Sequence, residues 1–233
     1  MGRLYVEIGN QLKKYKFFRL AKKILRNMTP KRIRFQYNLV KVYIFDKLHG
    51  TNFGGRLYQE KLGISKERAN DYSPSPVDLV KALEKLKIST EDAIVDMGSG
   101  KGYAMYKMAK YPFALIGGVE LSKDLCTIAK KNLEIVMPKK KKWQIYNCDA
   151  GTWPGYDNYN IFYIYNSFPL QVMREVNENI CESIRRKPRK VTLLYLFPEF
   201  PETFMSDKRW KLIERGTTLQ LRNGMHIFQN VFL

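Results

Sequence analysis

The stretch Asp96-Met-Gly98-Ser-Gly100-Lys-Gly102 constrains this chain more than any other. It follows the apolar run Ala93-Ile94-Val95 and opens a helical pattern. A buried strand that ends in an acid and turns on glycines into a helix is a unit of a parallel α/β sheet. The glycines let backbone N–H groups approach a ligand, and the helix start adds a partial positive charge. The acid at the strand tip instead asks for a hydrogen-bond donor. Two common nucleotide loops are excluded. In G-x-G-x-x-G counted from Gly98, the third glycine would fall at Tyr103. The triphosphate loop needs Ser or Thr after Gly-Lys, and Gly102 follows Gly100-Lys101.

Two more apolar runs end in acids. Ala114-Leu-Ile-Gly-Gly-Val119 reads as a second strand and stops at Glu120. Trp143-Gln-Ile-Tyr-Asn-Cys148 reads as a third and stops at Asp149-Ala150. Parallel α/β sheets bind ligands beyond the carboxyl ends of their strands. An acid at position 120 suits two ribose hydroxyls, and one at 149 suits an adenine amino group. A solvated turn explains any one of these acids but explains all three poorly. The set points to S-adenosylmethionine, a nucleoside whose reacting end is a zwitterionic amino acid.

The pattern D-x-G-x-G-x-G at residues 96–102 resembles motif I of the class I S-adenosylmethionine-dependent methyltransferases. The run 95–103, Tyr111-Pro-Phe113 and Gly118-Val-Glu-Leu-Ser122 are similar to small bacterial members distantly related to the non-SET histone-lysine methyltransferases. The resemblance spans about residues 72–201. Motif I is shared across the superfamily, whereas Tyr72-Ser-Pro74-Ser-Pro76 is more specific to this branch. It implies cofactor contacts at Asp96, Gly98, Ser99, Gly100, Gly102, Glu120, Leu121, Asp149, Ala150 and Asn166. It also implies a Rossmann-like, doubly wound, mostly parallel seven-stranded sheet with a C-terminal antiparallel hairpin.

The chain's 233 residues suffice for one such domain plus an appendage. The expected division is a basic helical appendage at 1–70 and a cofactor domain at 71–233. No apolar run approaches the ~20 residues of a membrane span. No secretory signal is expected, because Lys13, Lys14, Lys16 and Arg19 interrupt the first apolar positions. Cys126, Cys148 and Cys181 are widely spaced and read as reduced thiols of a cytoplasmic protein. Two histidines and no Cys/His spacing pattern give no expectation of a metal site.

Charge is uneven. The chain carries +19, and residues 1–45 hold twelve Lys or Arg against the single acid Glu7. That asymmetry suits an anionic partner, RNA or a membrane surface; a solvated basic face is the plainer alternative. Residues 12–28 place Phe17, Ala21, Ile24 and Met28 at helical spacing, and Thr29-Pro30 stops the pattern. A second helix is expected over 34–48, then a glycine-rich flexible loop over 49–55 that suits a lid. Ser75 is placed to cap a helix from Pro76. Strands are expected near 92–97, 114–119, 143–148, 159–165 and 190–197, with helices near 101–110, 122–136 and 169–185. Asn223-Gly224 signals a hairpin turn between two terminal strands. The basic clusters 139–142 and 185–190 precede strands, so they belong at the sheet end opposite the cofactor.

Methyl transfer from a sulfonium is an in-line displacement that needs a nucleophile about 3 Å from the methyl carbon. The strand Tyr159-Asn-Ile-Phe-Tyr-Ile-Tyr165 runs into Asn166-Ser-Phe-Pro169. This resembles the Asn-Pro-Pro-aromatic signature of amino-group methyltransferases, with Ser167 in place of the first proline. Asn166 would hold a target nitrogen, and Tyr72 would wall the pocket; the alternatives are a polar strand end and an ordinary linker. Tyr163 and Tyr165 share one face of the sheet and read as core. Three functions follow as expectations: methylation of an amine, a protein lysine or similar; methylation of RNA anchored by the basic segment; or a cofactor-binding module without activity.

Overall fold

The computed structural model describes residues 30–74, 78–218 and 221–231. The chain divides into two compact units, 1–37 and 38–233, so residue 70 falls inside the second. The pattern over 12–28 and the Ser75-Pro76 cap lie outside the described residues. Helix α1 (Pro30–His49) covers the second expected helix.

Seven strands form one sheet: β1 (Ala93–Met97), β2 (Leu115–Glu120), β3 (Trp143–Asn147), β4 (Ile161–Tyr165), β5 (Thr192–Leu196), β6 (Trp210–Thr218) and β7 (Leu221–Asn230). Their order is β3-β2-β1-β4-β5-β7-β6. The first five are parallel, and β7 pairs antiparallel with both β5 and β6. This is the expected doubly wound α/β sheet, within one or two residues at most strand ends. Every side chain of β1 and β5 is buried, which is why these strands read as unbroken apolar runs.

Helices α2 (Asp78–Glu84), α3 (Tyr103–Met108) and α4 (Lys123–Val136) contribute to one face, and α5 (Leu170–Arg186) and α6 (Glu202–Met205) to the other. Strand alternation supplies both cores. Ile94, Ile116, Tyr163 and Leu194 meet Leu83, Met105 and Leu133; Val95, Val119, Phe162 and Tyr195 belong with Val172, Val176 and Phe204. Each fully buried aliphatic side chain contributes roughly 1.5–3 kcal/mol. Ser122 caps α4 by accepting from the Leu125 amide, 3.3 Å away.

The chain leaves β1 toward β2 on one side, while β4 lies on the other. The carboxyl ends of β1 and β4 therefore open the crevice where ligands bind in such sheets. The basic clusters lie where expected. Lys141 Nζ donates to the carbonyls of Tyr111 and Phe113, just before β2. Arg189 donates to the carbonyls of Tyr156 and Tyr159, just before β4.

The C-terminal antiparallel hairpin is present, and only the position of its turn departs from expectation. Gly216 pairs with Met225 and Thr218 with Leu221, so Asn223-Gly224 sits within β7 and the connection falls between 218 and 221. A register shift between Gly216 and Thr218 accommodates the extra residues of β7. The extended ladder overrides the local turn signal.

Candidate active site

Gly98 and Gly100 have φ of 88° and 53°, where a side chain is strained. The Gly98 and Ser99 amides donate to the Val119 carbonyl at 2.8 and 3.0 Å, which ties the turn to the end of β2. A methyl group on Gly100 would overlap the Tyr72 ring, and one on Gly98 would lie 2.5 Å from Ser167 Cβ. The turn is thus closely covered by the 72–73 and 166–168 segments. Gly102 precedes α3 and has φ 85°.

Asp96 is 3% exposed, and no hydrogen bond among the described residues reaches its carboxylate. Burial first, and the Glu120 charge second, push its pKa well above the usual carboxylate range. Glu120 is also raised by burial, against hydrogen bonds from the backbone of Ser122, Gly100 and Leu121. Its two oxygens accept from the Gly100 and Ser122 amides, each at 2.8 Å. The Leu121 carbonyl accepts from Asn147 Nδ2 at 2.8 Å.

Asp149 begins a 3-10 turn and accepts from the Gly151 amide at 2.8 Å. Arg68 reaches it with a fork: Nε to Oδ2 at 2.7 Å and Nη2 to Oδ1 at 2.6 Å. The same guanidinium meets Glu175 at 2.9 and 3.1 Å. The Arg68 bonds hold Asp149 below its ordinary pKa. Ala150 is buried beside it and its carbonyl accepts from Tyr156 Oη.

Asn166 follows β4 with φ 42°. Its carbonyl accepts from Asn70 Nδ2 at 2.9 Å, and the Ser167 carbonyl accepts from the Asn70 amide. Its own Oδ1 is buried with no partner among the described residues, as is Ser99 Oγ. Tyr72 pairs with Leu57 in a one-residue antiparallel bridge and donates from Oη to the Phe53 carbonyl at 2.6 Å. Its hydroxyl pKa is raised well above the ordinary value by burial, then by the charges of Asp46, Asp96 and Glu120. Tyr72 is a neutral wall here, not a base.

The glycine-rich loop before it is firmly held. Asp46 accepts from Thr51 Oγ1 and from the amides of Phe53 and Gly54. Asn132 accepts from the Asn52 amide. Lys101, 4% exposed within the glycine turn, donates to Asn52 Oδ1 at 3.0 Å and the Gly54 carbonyl at 2.6 Å. Burial lowers the Lys101 pKa. Residues 51–54 form a strap across the turn where the sequence suggests a flexible loop.

A narrow cleft of about 20 Å³ is lined by Ser73, Asp96, Ser99, Tyr103, Tyr163 and Tyr165, among others. It brings together Asp96, Gly98, Ser99 and Tyr72 of the expected set; Asn166 adjoins it through Tyr165. Glu120, Asp149 and Ala150 stand at the tips of the neighbouring strands. Sequence reasoning missed Arg68, Asn70 and Lys101. Only Lys101 carried a signal, its place inside the glycine motif. A more open groove between α5 and α6, lined by Arg174 and Thr203, contains none of the expected residues.

These features fit the methionine end of S-adenosylmethionine. The buried Asp96 carboxylate suits a cationic group, and the buried Ser99 Oγ and Asn166 Oδ1 have no partner among the described residues. At about 20 Å³ the cleft is far smaller than the ~300–1,000 Å³ typical of whole-ligand pockets, and the covering segments would have to part to admit a whole cofactor.

The model of the protein-L-isoaspartate(D-aspartate) O-methyltransferase family matches residues 55–167. A histone-lysine N-methyltransferase specific for H3 lysine-79 from Dictyostelium discoideum is 25% identical over 139 residues, 54% of this chain and 8% of that protein. The chain thus spans about a twelfth of the curated relative it matches. A presumed RNA methyltransferase from Pyrococcus horikoshii shares the fold with TM-score 0.51 and 18% identity, over 66% of this chain and 83% of that one. A presumed methylase from Haemophilus influenzae does so with TM-score 0.50 and 13% identity, over 66% and 99%. Sheet order, glycine turn and these matches give the chain the class I, Rossmann-like methyltransferase fold and make it similar to S-adenosylmethionine-dependent methyltransferases. Among the described residues, no His/Cys/Asp/Glu group is arranged to hold a metal, and no helix is long and apolar enough to cross a membrane.

Proposed function

We propose that the chain transfers a methyl group to an amine nitrogen, on a protein lysine or a similar acceptor. The carrying observation is Asn166: a left-handed backbone fixed by Asn70, with a buried Oδ1 that lacks a partner among the described residues. An unpaired carbonyl oxygen just past the end of β4 would accept a hydrogen from an incoming N–H and fix its direction of approach. The RNA reading rests on the charge of residues 1–45. The orphaned Asn166 oxygen favours the amine.

The cofactor supplies an electrophilic methyl group on a sulfonium. In this reading, Asp96 receives its ammonium, with Gly98, Ser99, Gly100 and Gly102 around the carboxylate end. Glu120 and Leu121 take the ribose, and Asp149 with Ala150 the adenine. Asn166 orients the acceptor, and Tyr72 with Tyr163 and Tyr165 excludes water. A protonated amine must lose its proton before it attacks, and a dry cleft favours the neutral form.

Calorimetric titration and a labelled-methyl assay on the full chain test this. Asp96→Asn should abolish binding of S-adenosylmethionine and S-adenosylhomocysteine. Asn166→Ala should leave cofactor affinity within about threefold and lower turnover at least about tenfold, the loss of one positioning hydrogen bond. Label appearing only on RNA, or unchanged turnover in Asn166→Ala, would overturn the amine reading.

A further inference from the structure

The second half of α1 has two apolar faces. Val42 is 3% exposed, and Phe45 stacks on His49 and packs near Phe53 and Tyr106, with ring centroids 6.0 and 5.0 Å away. This inner face holds the helix against the domain. On the other side, Val40, Tyr43, Ile44 and Leu48 are 52%, 60%, 51% and 77% exposed. Their spacing of three, four and eight residues from Val40 makes one stripe along the helix. Lys41 lies at its edge and Lys47 within it, with the Lys47 ammonium 5.5 Å from the Tyr43 ring centroid. Among the described residues, none covers this stripe.

We propose that this stripe docks on an anionic lipid surface. A helix lying in the interface sinks its apolar side chains to the headgroup–acyl boundary and keeps its lysines at the phosphates. The chain supplies the matching charge. Residues 1–45 carry twelve basic side chains against one acid, and basic segments are drawn to anionic leaflets. RNA would satisfy that charge but not Val40, Ile44 and Leu48, since only Tyr43 offers a ring for a base to stack on. A second copy of the chain would cover the apolar stripe but would bring together two chains that each carry +19. An anionic bilayer answers both features. The inference stands apart from the identity of the methyl acceptor.

The test is sedimentation of the full chain with vesicles of phosphatidylcholine alone and of phosphatidylcholine mixed with phosphatidylglycerol. The chain should partition onto the mixed vesicles, weakly or not at all onto the neutral ones, and less as salt rises. Ile44→Ser with Leu48→Ser should lower partitioning about tenfold or more, because two buried aliphatic side chains are removed. Both sites are exposed, so the thermal midpoint should hold, and Ile44→Trp should strengthen partitioning. Absence of partitioning onto mixed vesicles overturns the proposal. So does partitioning that the serine pair leaves unchanged, which would be charge alone. A self-association, or RNA oligonucleotide binding, that the serine pair abolishes while vesicle binding persists would assign the stripe to that partner instead.

Discussion

Replacing Gly100 by alanine should expose how closely Tyr72 covers the glycine turn. Alanine there is held at φ 53°, which costs about 1–2 kcal/mol for an L-residue in the left-handed region. Its methyl also overlaps Cδ2 and Cε2 of Tyr72. Either the turn or the ring must shift, an overpacking cost of about 1–3 kcal/mol. The ring cannot leave freely, since Tyr72 Oη is bonded to the Phe53 carbonyl. Gly100→Ala alone should therefore destabilise the chain by about 2–5 kcal/mol. In a Tyr72→Ala background the overlap is gone and only the backbone cost of about 1–2 kcal/mol remains. Urea unfolding of the wild type, both single variants and the double variant, followed by tryptophan fluorescence, gives the coupling directly. It should be about 1–3 kcal/mol, well outside the ~0.5 kcal/mol expected of independent sites. Additive costs within that margin would refute the placement of Tyr72 over Gly100.

Other outcomes follow from the same geometry. Burial alone would raise Asp207, but hydrogen bonds from Arg209 and Asn177 overcome it and hold the carboxyl at about 2. Its folded pKa lies below the ~3.9 of an unfolded aspartate, so its stabilisation is present above about pH 4 and is lost as pH falls toward 2. The advantage of wild type over Asp207→Asn in urea should shrink by about 2 kcal/mol between about pH 5 and pH 2; a constant gap refutes the assignment. Lys101→Met removes the ammonium that holds Asn52 and Gly54. Amide exchange at residues 52–54 should quicken about tenfold or more, as expected for lost charged hydrogen bonds of ~1.5–3 kcal/mol. Unchanged exchange there would mean that Asp46 and Asn132 hold the strap unaided.

The sheet was legible because its chemistry is local. A strand buried on both faces must read as an apolar run, and a functional strand tip must break that run with an acid. Asp96 and Glu120 announced themselves as acids near the ends of such runs, and Asp149 follows β3, which is only partly buried. The cover over the site was not legible. Arg68 lies 81 residues from Asp149 and 107 from Glu175, and no periodicity links them. Lys101 was hidden by the general rule that lysines face water. The glycines of 49–55 suggested mobility, yet amide hydrogen bonds to Asp46 and Asn132 and a hydrogen bond from Tyr72 fix that segment. Asn223-Gly224 failed for the opposite reason: a strong local signal lost to a ladder whose register is set by strands far away. Tyr163 was correctly placed in the core, and with Tyr165 it also lines the cleft.

The tie between Lys101 and the strap also bears on how the chain can change over generations. A glycine-rich turn is usually free to drift at the positions between its glycines. Here one of them is committed to two oxygens some fifty residues earlier. Loss of the lysine strands Asn52 and Gly54, and loss of the strap strands a buried ammonium. Neither stretch can be exchanged alone with that of a distant relative. The two form one unit of inheritance, and a chimera joined between residues 55 and 100 must carry both halves from the same parent.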